Sequence, residues 1–238
     1  SADNSNQWGR YSFLGYDPKL EIFCKNHTMT IKGAVTNTFT CHNPAEEVRK
    51  ILKQYKSPKV EGLPTFTGGF VGYFACEYIR YIEPKLDFPV PEDDKAMVND
   101  MDLMLFDKVI VFDHYKNKIF LIVNIATDDL ERNYNKAQQD LDALQELVMH
   151  GQEATIEPCK LESEFQSEFT EEDYCQVVRK TQHYIKEGDI FQAVVSNRRQ
   201  AKMSGSLFNA YRVLRTMNPS PYMFYLSGQD VELTGASP

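Results

Sequence analysis

Asn218-Pro219-Ser220-Pro221-Tyr222-Met223-Phe224-Tyr225 joins a helix-patterned stretch to a strand-patterned one, and its reading decides how the end of the chain folds. A residue that precedes proline is pushed out of the helical region, so Asn218 and Ser220 hold the main chain in a rigid loop. A loop ordered in advance also suits a ligand cradle, with Tyr222 offering an aromatic face and Met223 a polarizable contact. The residues alone favour the plain loop. Before it, Leu207 to Met217 reads as a helix. After it, Tyr222 to Leu226 and Val231 to Leu233 read as a hairpin turning at Ser227-Gly228. The chain then runs into a turn at Gly235-Ala236-Ser237-Pro238. A strand delivered into a turn there, and Ser1 in place of a methionine, give the expectation of a piece of a larger protein.

Working back from the loop, Gly188-Asp189-Ile190-Phe191-Gln192 predicts a strand over Ile190 to Ser196. Alternation puts Gln192, Val194, Ser196 and Arg198 on one face, with Phe191, Ala193 and Val195 on the other. A neutral amide among aliphatics needs a partner if buried; Gln192 is equally a structural hydrogen-bonding group or one that lines a pocket. A helix precedes this strand. Thr170 suits its N-cap, Glu171, Glu172 and Asp173 suit the positive end of its dipole, and Gly188 suits its left-handed terminus. Tyr174, Val177, Val178, Tyr184 and Ile185 share one of its faces. Residues 151–169 are polar and acidic with little periodicity, and read as a linker between domains at 1–150 and 170–238.

In the first half, Arg10 to Gly15, Leu20 to Cys24, Thr28 to Lys32 and Val35 to Phe39 predict short strands. A helix is expected to begin at Asn43-Pro44. Leu103 to Phe112 and Ile119 to Asn124 predict two longer strands around Lys116-Asn117-Lys118. From Leu130 to Val148, apolar residues recur every three or four positions and predict a helix laid on a sheet. The segment Leu63-Pro64-Thr65-Phe66-Thr67-Gly68-Gly69-Phe70-Val71-Gly72-Tyr73-Phe74 is glycine-dense but lacks the Lys-Ser/Thr of a phosphate loop, so close backbone packing accounts for it better.

Bulk properties exclude several classes. The chain has 238 residues, 42% apolar and 25% charged, with a formal net charge of −8. That balance argues against nucleic acid, which wants a basic patch. No apolar run is long enough to span a bilayer. Cys24, Cys41, Cys76, Cys159 and Cys175 are odd in number and never form C-x-x-C, which favours free thiols in a reducing cytoplasm. The five histidines form no metal-binding spacing with them.

Across its whole length the sequence resembles the large subunit (component I) of anthranilate synthase, within the chorismate-binding enzymes. The resemblance rests on Trp8-Gly9-Arg10-Tyr11-Ser12-Phe13-Leu14-Gly15-Tyr16-Asp17-Pro18, on Phe66-Thr67-Gly68-Gly69-Phe70-Val71-Gly72-Tyr73, on Gly188 to Gln192, on Asn218 to Tyr225 and on Gly235 to Pro238, in the family's order and spacing. It implies an α+β fold of orthogonally packed antiparallel β-sheets flanked by helices, incomplete at the C-terminus. It also implies a lyase of tryptophan biosynthesis that turns chorismate and ammonia into anthranilate and pyruvate, with Mg2+ holding the substrate carboxylate. A glutamine amidotransferase subunit (component II) is the implied ammonia source. The family's metal-binding glutamates and most chorismate contacts would lie beyond Pro238, so no catalytic or metal-binding residue is expected in this chain, which alone should be inert.

The resemblance further implies a feedback site for tryptophan. Pro221, Tyr222 and Met223 match one of its motifs, and Ser1 matches the last letter of a Leu-Leu-Glu-Ser motif. At Gln192, water-adding relatives carry a lysine able to act as general base; glutamine cannot deprotonate water, which favours amination. Asn197 and Arg199 depart from the family, where Gln and an aromatic are commoner. Two alternatives remain: the aminodeoxychorismate synthase of folate biosynthesis, whose loop usually lacks the Tyr-Met pair, and a non-catalytic module for tryptophan binding or subunit docking.

Overall fold

A computed structural model describes residues 9–83, 85–86 and 98–237. In chain order, β1 (Tyr11–Leu14), β2 (Leu20–Lys25), β3 (Thr28–Lys32) and β4 (Thr36–Thr40) lead into α1 (Pro44–Leu52). Then come β5 (Gly69–Phe74), a 3-10 turn at Cys76–Tyr78, α2 (Ile79–Ile82), β6 (Met101–Phe106), β7 (Lys108–Asp113), β8 (Lys118–Val123) and α3 (Leu130–His150). The short strands β9 (Lys160–Leu161) and β10 (Gln166–Ser167) precede α4 (Glu171–Glu187), β11 (Arg199–Gln200) and β12 (Met203–Ser204). Helix α5 (Leu207–Met217) and the strands β13 (Tyr222–Ser227) and β14 (Glu232–Ser237) complete the order. By contacts, the chain forms two compact units: residues up to Ala154 together with those from Leu214, and Thr155–Val213.

The first unit is built on two antiparallel sheets, one ordered β4-β3-β2-β6-β5 and one ordered β1-β7-β8. The β2–β3 hairpin turns on Asn26 and His27, both with positive φ (47° and 61°), as a two-residue turn matched to strand twist requires. Alternation along β6 sends Met101 and Leu103 into one core, with Ile22, Cys24, Met29, Val48 and Tyr78. Met104 and Phe106 enter a second core with Val109 and Val111 of β7, against which Tyr11, Phe120 and Leu226 pack. The five-stranded sheet is thus covered on both faces, by α1 and the Cys76–Ile82 turns on one side and by the second sheet on the other.

One predicted strand, Leu103 to Phe112, is two. The chain breaks at Asp107 and passes from one sheet to the other, which is how orthogonally packed sheets share a corner. Asn124 latches that corner: its N–H donates to the Asp107 carbonyl at 2.8 Å, and its Nδ2 donates to the carbonyls of Asp107 and Thr67 at 3.1 and 2.7 Å. Gly72 is forced by the same close packing, because a Cβ there would collide with the main-chain carbonyl of Asp102. Helix α3 lies on β8 through buried Ala137 and Leu144, as its spacing predicts.

Asp113, at the end of β7, is fully buried and paired. Arg10 Nε and Nη2 donate to its two carboxylate oxygens at 3.1 and 2.8 Å, while Tyr115 N and Lys116 N donate to Oδ1. The Arg10 hydrogen bonds hold its carboxyl down at about 2.

In the second unit, α4 has Thr170 as N-cap, with Asp173 N donating to Thr170 Oγ1 at 3.2 Å, and it ends on Gly188 at φ 83°. The stretch expected as a linker, 151–169, contributes β9 and β10, which pair with β12 and β11. The predicted strand Ile190 to Ser196 is not formed: it lies in no ladder, and Phe191 is fully exposed. Strand propensity alone cannot hold an extended chain; the ladder needs a neighbour, and none is present among the described residues. Among the described residues, no helix is long and apolar enough to cross a membrane.

Candidate functional site

The end of α5 sets the loop. Asn218 N donates to the Leu214 carbonyl at 2.9 Å and closes the last helical turn, after which Pro219 and Pro221 keep the chain out of helix. Ser220 Oγ then donates to the Tyr222 carbonyl at 3.0 Å, fixing the entry into β13.

Strand β13 pairs antiparallel with β14, Tyr222 opposite Ser237, Met223 opposite Ala236 and Phe224 opposite Gly235. Two motifs separated in sequence are therefore cross-strand neighbours. Sequence reasoning ended the second strand at Leu233 and read Gly235-Ala236-Ser237 as a turn; the structure continues the strand through it. The reason is local. Phe224 covers the bare backbone of Gly235, where a Cβ would come within 2.5 Å of the ring, so the aromatic supplies the side-chain packing that glycine lacks.

The hairpin is anchored at its other end. Leu226 packs into the core between the two larger sheets, Tyr225 Oη donates to Glu232 Oε1 at 3.1 Å, and Gly228 N donates to the Val231 carbonyl at 2.9 Å across the turn. Lys32 Nζ on β3 donates to Gln229 Oε1 at 3.2 Å, tying the turn to the five-stranded sheet. Anchored so, the hairpin presents Tyr222 at 56% exposure and a half-buried Met223 at its open end. An aromatic face beside a thioether can take a flat apolar ring, and the strand's polar main chain lies beside it.

The other expected site residues fall elsewhere. Gln192 lies exposed in the unpaired stretch of the second unit, so the pocket-lining and hydrogen-bonding readings both lack a partner among the described residues. Ser1 lies outside the described residues. Among the described residues, no three His, Cys, Asp or Glu side chains come together as a metal-ligand set. The described side chains do not fit a Mg2+ site.

Sequence reasoning also missed a buried polar network on the first unit. Asp100 Oδ2 accepts from Tyr81 Oη at 2.7 Å and from Asn26 N at 2.9 Å, and His27 N donates to Tyr81 Oη at 3.0 Å. Burial pushes the Tyr81 hydroxyl far above its ordinary value, so it stays protonated and donates. Every member braces the β2–β3 turn, so the network is structural. Its one sequence signal was Asn26-His27 between two strand patterns.

These features define a class. Residues 2–238 match the family of chorismate binding enzymes, and the chain belongs to that family. It is similar to anthranilate synthase component 1 of Acinetobacter calcoaceticus, at 36% identity over all of this chain and 50% of the relative. The same protein of Saccharomyces cerevisiae (strain ATCC 204508 / S288c) is also 36% identical, over all of this chain and 46% of its own length. The crystal structure of anthranilate synthase component I from Streptococcus pneumoniae TIGR4 superposes with a TM-score of 0.72 at 28% identity, covering 96% of this chain and 50% of that one. The chain thus spans about half the length of the curated relatives it matches.

Proposed function

We propose that this chain is part of an anthranilate synthase component I, a cytoplasmic lyase that forms anthranilate and pyruvate from chorismate and ammonia in tryptophan biosynthesis. The observation that carries the reading is the match to component 1 relatives over the whole chain. In this reading Pro221, Tyr222 and Met223, with Ser1, bind tryptophan as feedback inhibitor, and Gln192 lines the chorismate pocket without activating water. A glutamine amidotransferase subunit supplies ammonia. Mg2+, held by ligands outside this chain, would neutralise the substrate carboxylate, and the chain alone makes no product.

The test is product analysis on the protein expressed from an extended reading frame, with chorismate, ammonia and Mg2+. Anthranilate is the expected product, identified by its fluorescence and mass; 4-amino-4-deoxychorismate overturns the reading in favour of the folate-pathway relative. The effector site is checked separately by calorimetric titration of tryptophan into the same protein. Heat of binding is expected, and loss of that heat in Met223→Ala with catalysis retained supports the site. No heat in the unaltered protein overturns it.

A further inference from the structure

Strand alternation gives the five-stranded sheet a polar end on the face that meets the second sheet. Along β6, Asp102 shares that face with the core residues Met104 and Phe106, and its cross-strand partners are Tyr73 on β5 and Phe23 on β2. Glu21 and Lys25 on β2 lie on the same face as Phe23, and Lys32 on β3 stands opposite Glu21. The turn of the β13–β14 hairpin rests over this end. Lys32 Nζ donates to Gln229 Oε1 at 3.2 Å while standing 3.5 Å from Glu21 Oε2. Asp230, next to Gln229, brings its negative charge to bear on both Asp102 and Tyr73.

The seat is imperfectly balanced, in contrast to Asp113 with its Arg10. Lys32 is shared between Glu21 and the Gln229 amide, whereas the donor to Asp102 Oδ2 is the neutral Asn99 Nδ2, at 3.1 Å. Tyr73 Oη is buried and has no hydrogen-bond partner among the described residues, which is unfavourable for a hydroxyl. Asp100 is held on the opposite face by Tyr81 Oη and Asn26 N and adds its charge to Tyr73 only from there, while Glu232 on the hairpin accepts from Tyr225. Burial pushes the Asp102 carboxyl above its ordinary 3.8, the Asn99 hydrogen bond opposes that, and the charges of Glu21 and Asp230 add to the rise.

Of these neighbours, Asp230 moves with the hairpin. When the turn lifts, Asp102 loses that charge and part of its burial, and its carboxyl falls back towards 3.8. The docked hairpin therefore holds the Asp102 proton more tightly than the lifted one. Docking is opposed while Asp102 is charged, strengthens as pH falls through the raised value, and gains nothing more below the ordinary one. The Lys32–Gln229 hydrogen bond keeps the turn seated above that range.

We propose that Asp102 and Asp230 make the seat of the β13–β14 hairpin proton-sensitive, so that the strand carrying Tyr222 and Met223 docks more firmly when Asp102 takes up a proton. Leu226, packed into the core between the seat and the open end, carries the change along the hairpin. Linkage is reciprocal, so an effector that needs the docked hairpin binds more tightly in acid and takes up a proton as it binds. That consequence rests on the reading of Pro221 to Met223 as the tryptophan site; the docking itself does not.

Amide hydrogen exchange of β13 and β14 tests the docking, in the protein expressed from the extended reading frame and without tryptophan. Protection, corrected for the intrinsic pH dependence of exchange, is expected to rise as pH falls from neutrality towards the ordinary carboxylate range. Asp102→Asn and Asp230→Asn keep side-chain shape and remove one charge each. Either is expected to raise protection at neutral pH by about two- to fivefold, the size of one partly exposed charge contact, and to flatten the pH profile. The double variant gains little over either single one, because the same contact is lost once. Lys32→Met lowers protection, and Lys32→Arg keeps most of it. Unchanged protection in both asparagine variants overturns the proposal, as do gains that add in full in the double variant. A fall in protection in Asp102→Asn also overturns it, by making Asp102 a structural acceptor for Asn99.

Tryptophan titrated into the same protein, in two buffers of different ionisation heat, counts the protons taken up on binding. Uptake that disappears in Asp102→Asn is expected. Binding without uptake in the unaltered protein overturns the link from seat to site. No binding at all overturns the effector reading instead, and the exchange profile alone then decides the seat.

Discussion

The two compact units handle their apolar residues in opposite ways. In the first, two sheets and α1 and α3 enclose Ile22, Met29, Met101, Val111 and Leu144 almost completely. In the second, no described residue is buried, and the apolar face of α4 leaves Val177, Tyr184 and Ile185 at least a third exposed. Both units have sound local design: Thr170 and Gly188 cap α4 as well as Asn43 and Pro44 start α1. Good caps and an amphipathic stripe thus make a helix, but only a covering layer makes a core, because most helical stability in proteins comes from tertiary packing. The second unit has the local half of that arrangement.

Gly72→Val on β5 is expected to do the most damage to the first unit. The obstacle is a main-chain carbonyl, which cannot swing aside, so we expect a loss of about 3 kcal/mol or more, at the upper end for overpacked cores. Urea denaturation measures it; a loss below 1 kcal/mol would mean that β5 and β6 separate easily and that the first unit is less tightly built than its burial implies.

A paired truncation sharpens the contrast. Leu144→Ala removes a side chain that is 1% exposed between α3 and its sheet, at an expected cost of about 3 kcal/mol. Val178→Ala on α4 removes a half-exposed one, and should cost under about 1 kcal/mol, since surface-side changes are small. Equal costs would show that α4 is covered in solution.

The same contrast explains what could be read from sequence. Helices α1, α3, α4 and α5 and the hairpins were legible because caps, periodicity and turn residues are local. The break of Leu103–Phe112 at Asp107 was not, because the run is apolar throughout and the corner is fixed by Asn124, seventeen residues away. Nor was the unpaired state of 190–196, since alternation records a face and not whether a neighbour exists. At the candidate site, Pro221 to Met223 could be named from motif resemblance, but the pairing of Tyr222 and Met223 with Ser237 and Ala236 depended on hairpin register.

Acid titration probes the part-buried Arg10–Asp113 pair of the first unit. The Asp113 carboxyl is held at about 2, below its ordinary 3.8, by the hydrogen bonds from Arg10. A depressed folded value contributes stability that is fully present above about pH 4 and is lost as pH falls through 2. In Arg10→Ala the folded value rises towards the ordinary one, so this acid-dependent part of stability shrinks. Denaturation at a series of pH values should show parent and variant converging between pH 4 and 2. A constant gap across that window would mean that Arg10 acts by packing alone.

The smallest effect concerns the caps. Thr170 Oγ1 accepts from Asp173 N and donates to Asp173 Oδ2 at 2.6 Å, while Asn43 Oδ1 accepts from Glu46 N at 3.2 Å. Replacing either residue with alanine costs a helix about 1 kcal/mol. The consequence should differ between units. Around α1 the core of Val48 and Tyr78 keeps the helix folded, so amide exchange in its middle is expected to change little. In α4 the cap is a larger fraction of what holds the helix, so Thr170→Ala should speed exchange along the first two turns by about five- to tenfold, following the same free energy. If both substitutions leave exchange equally unchanged, α4 has cover that its exposed apolar stripe does not show, and the contrast between the units fails.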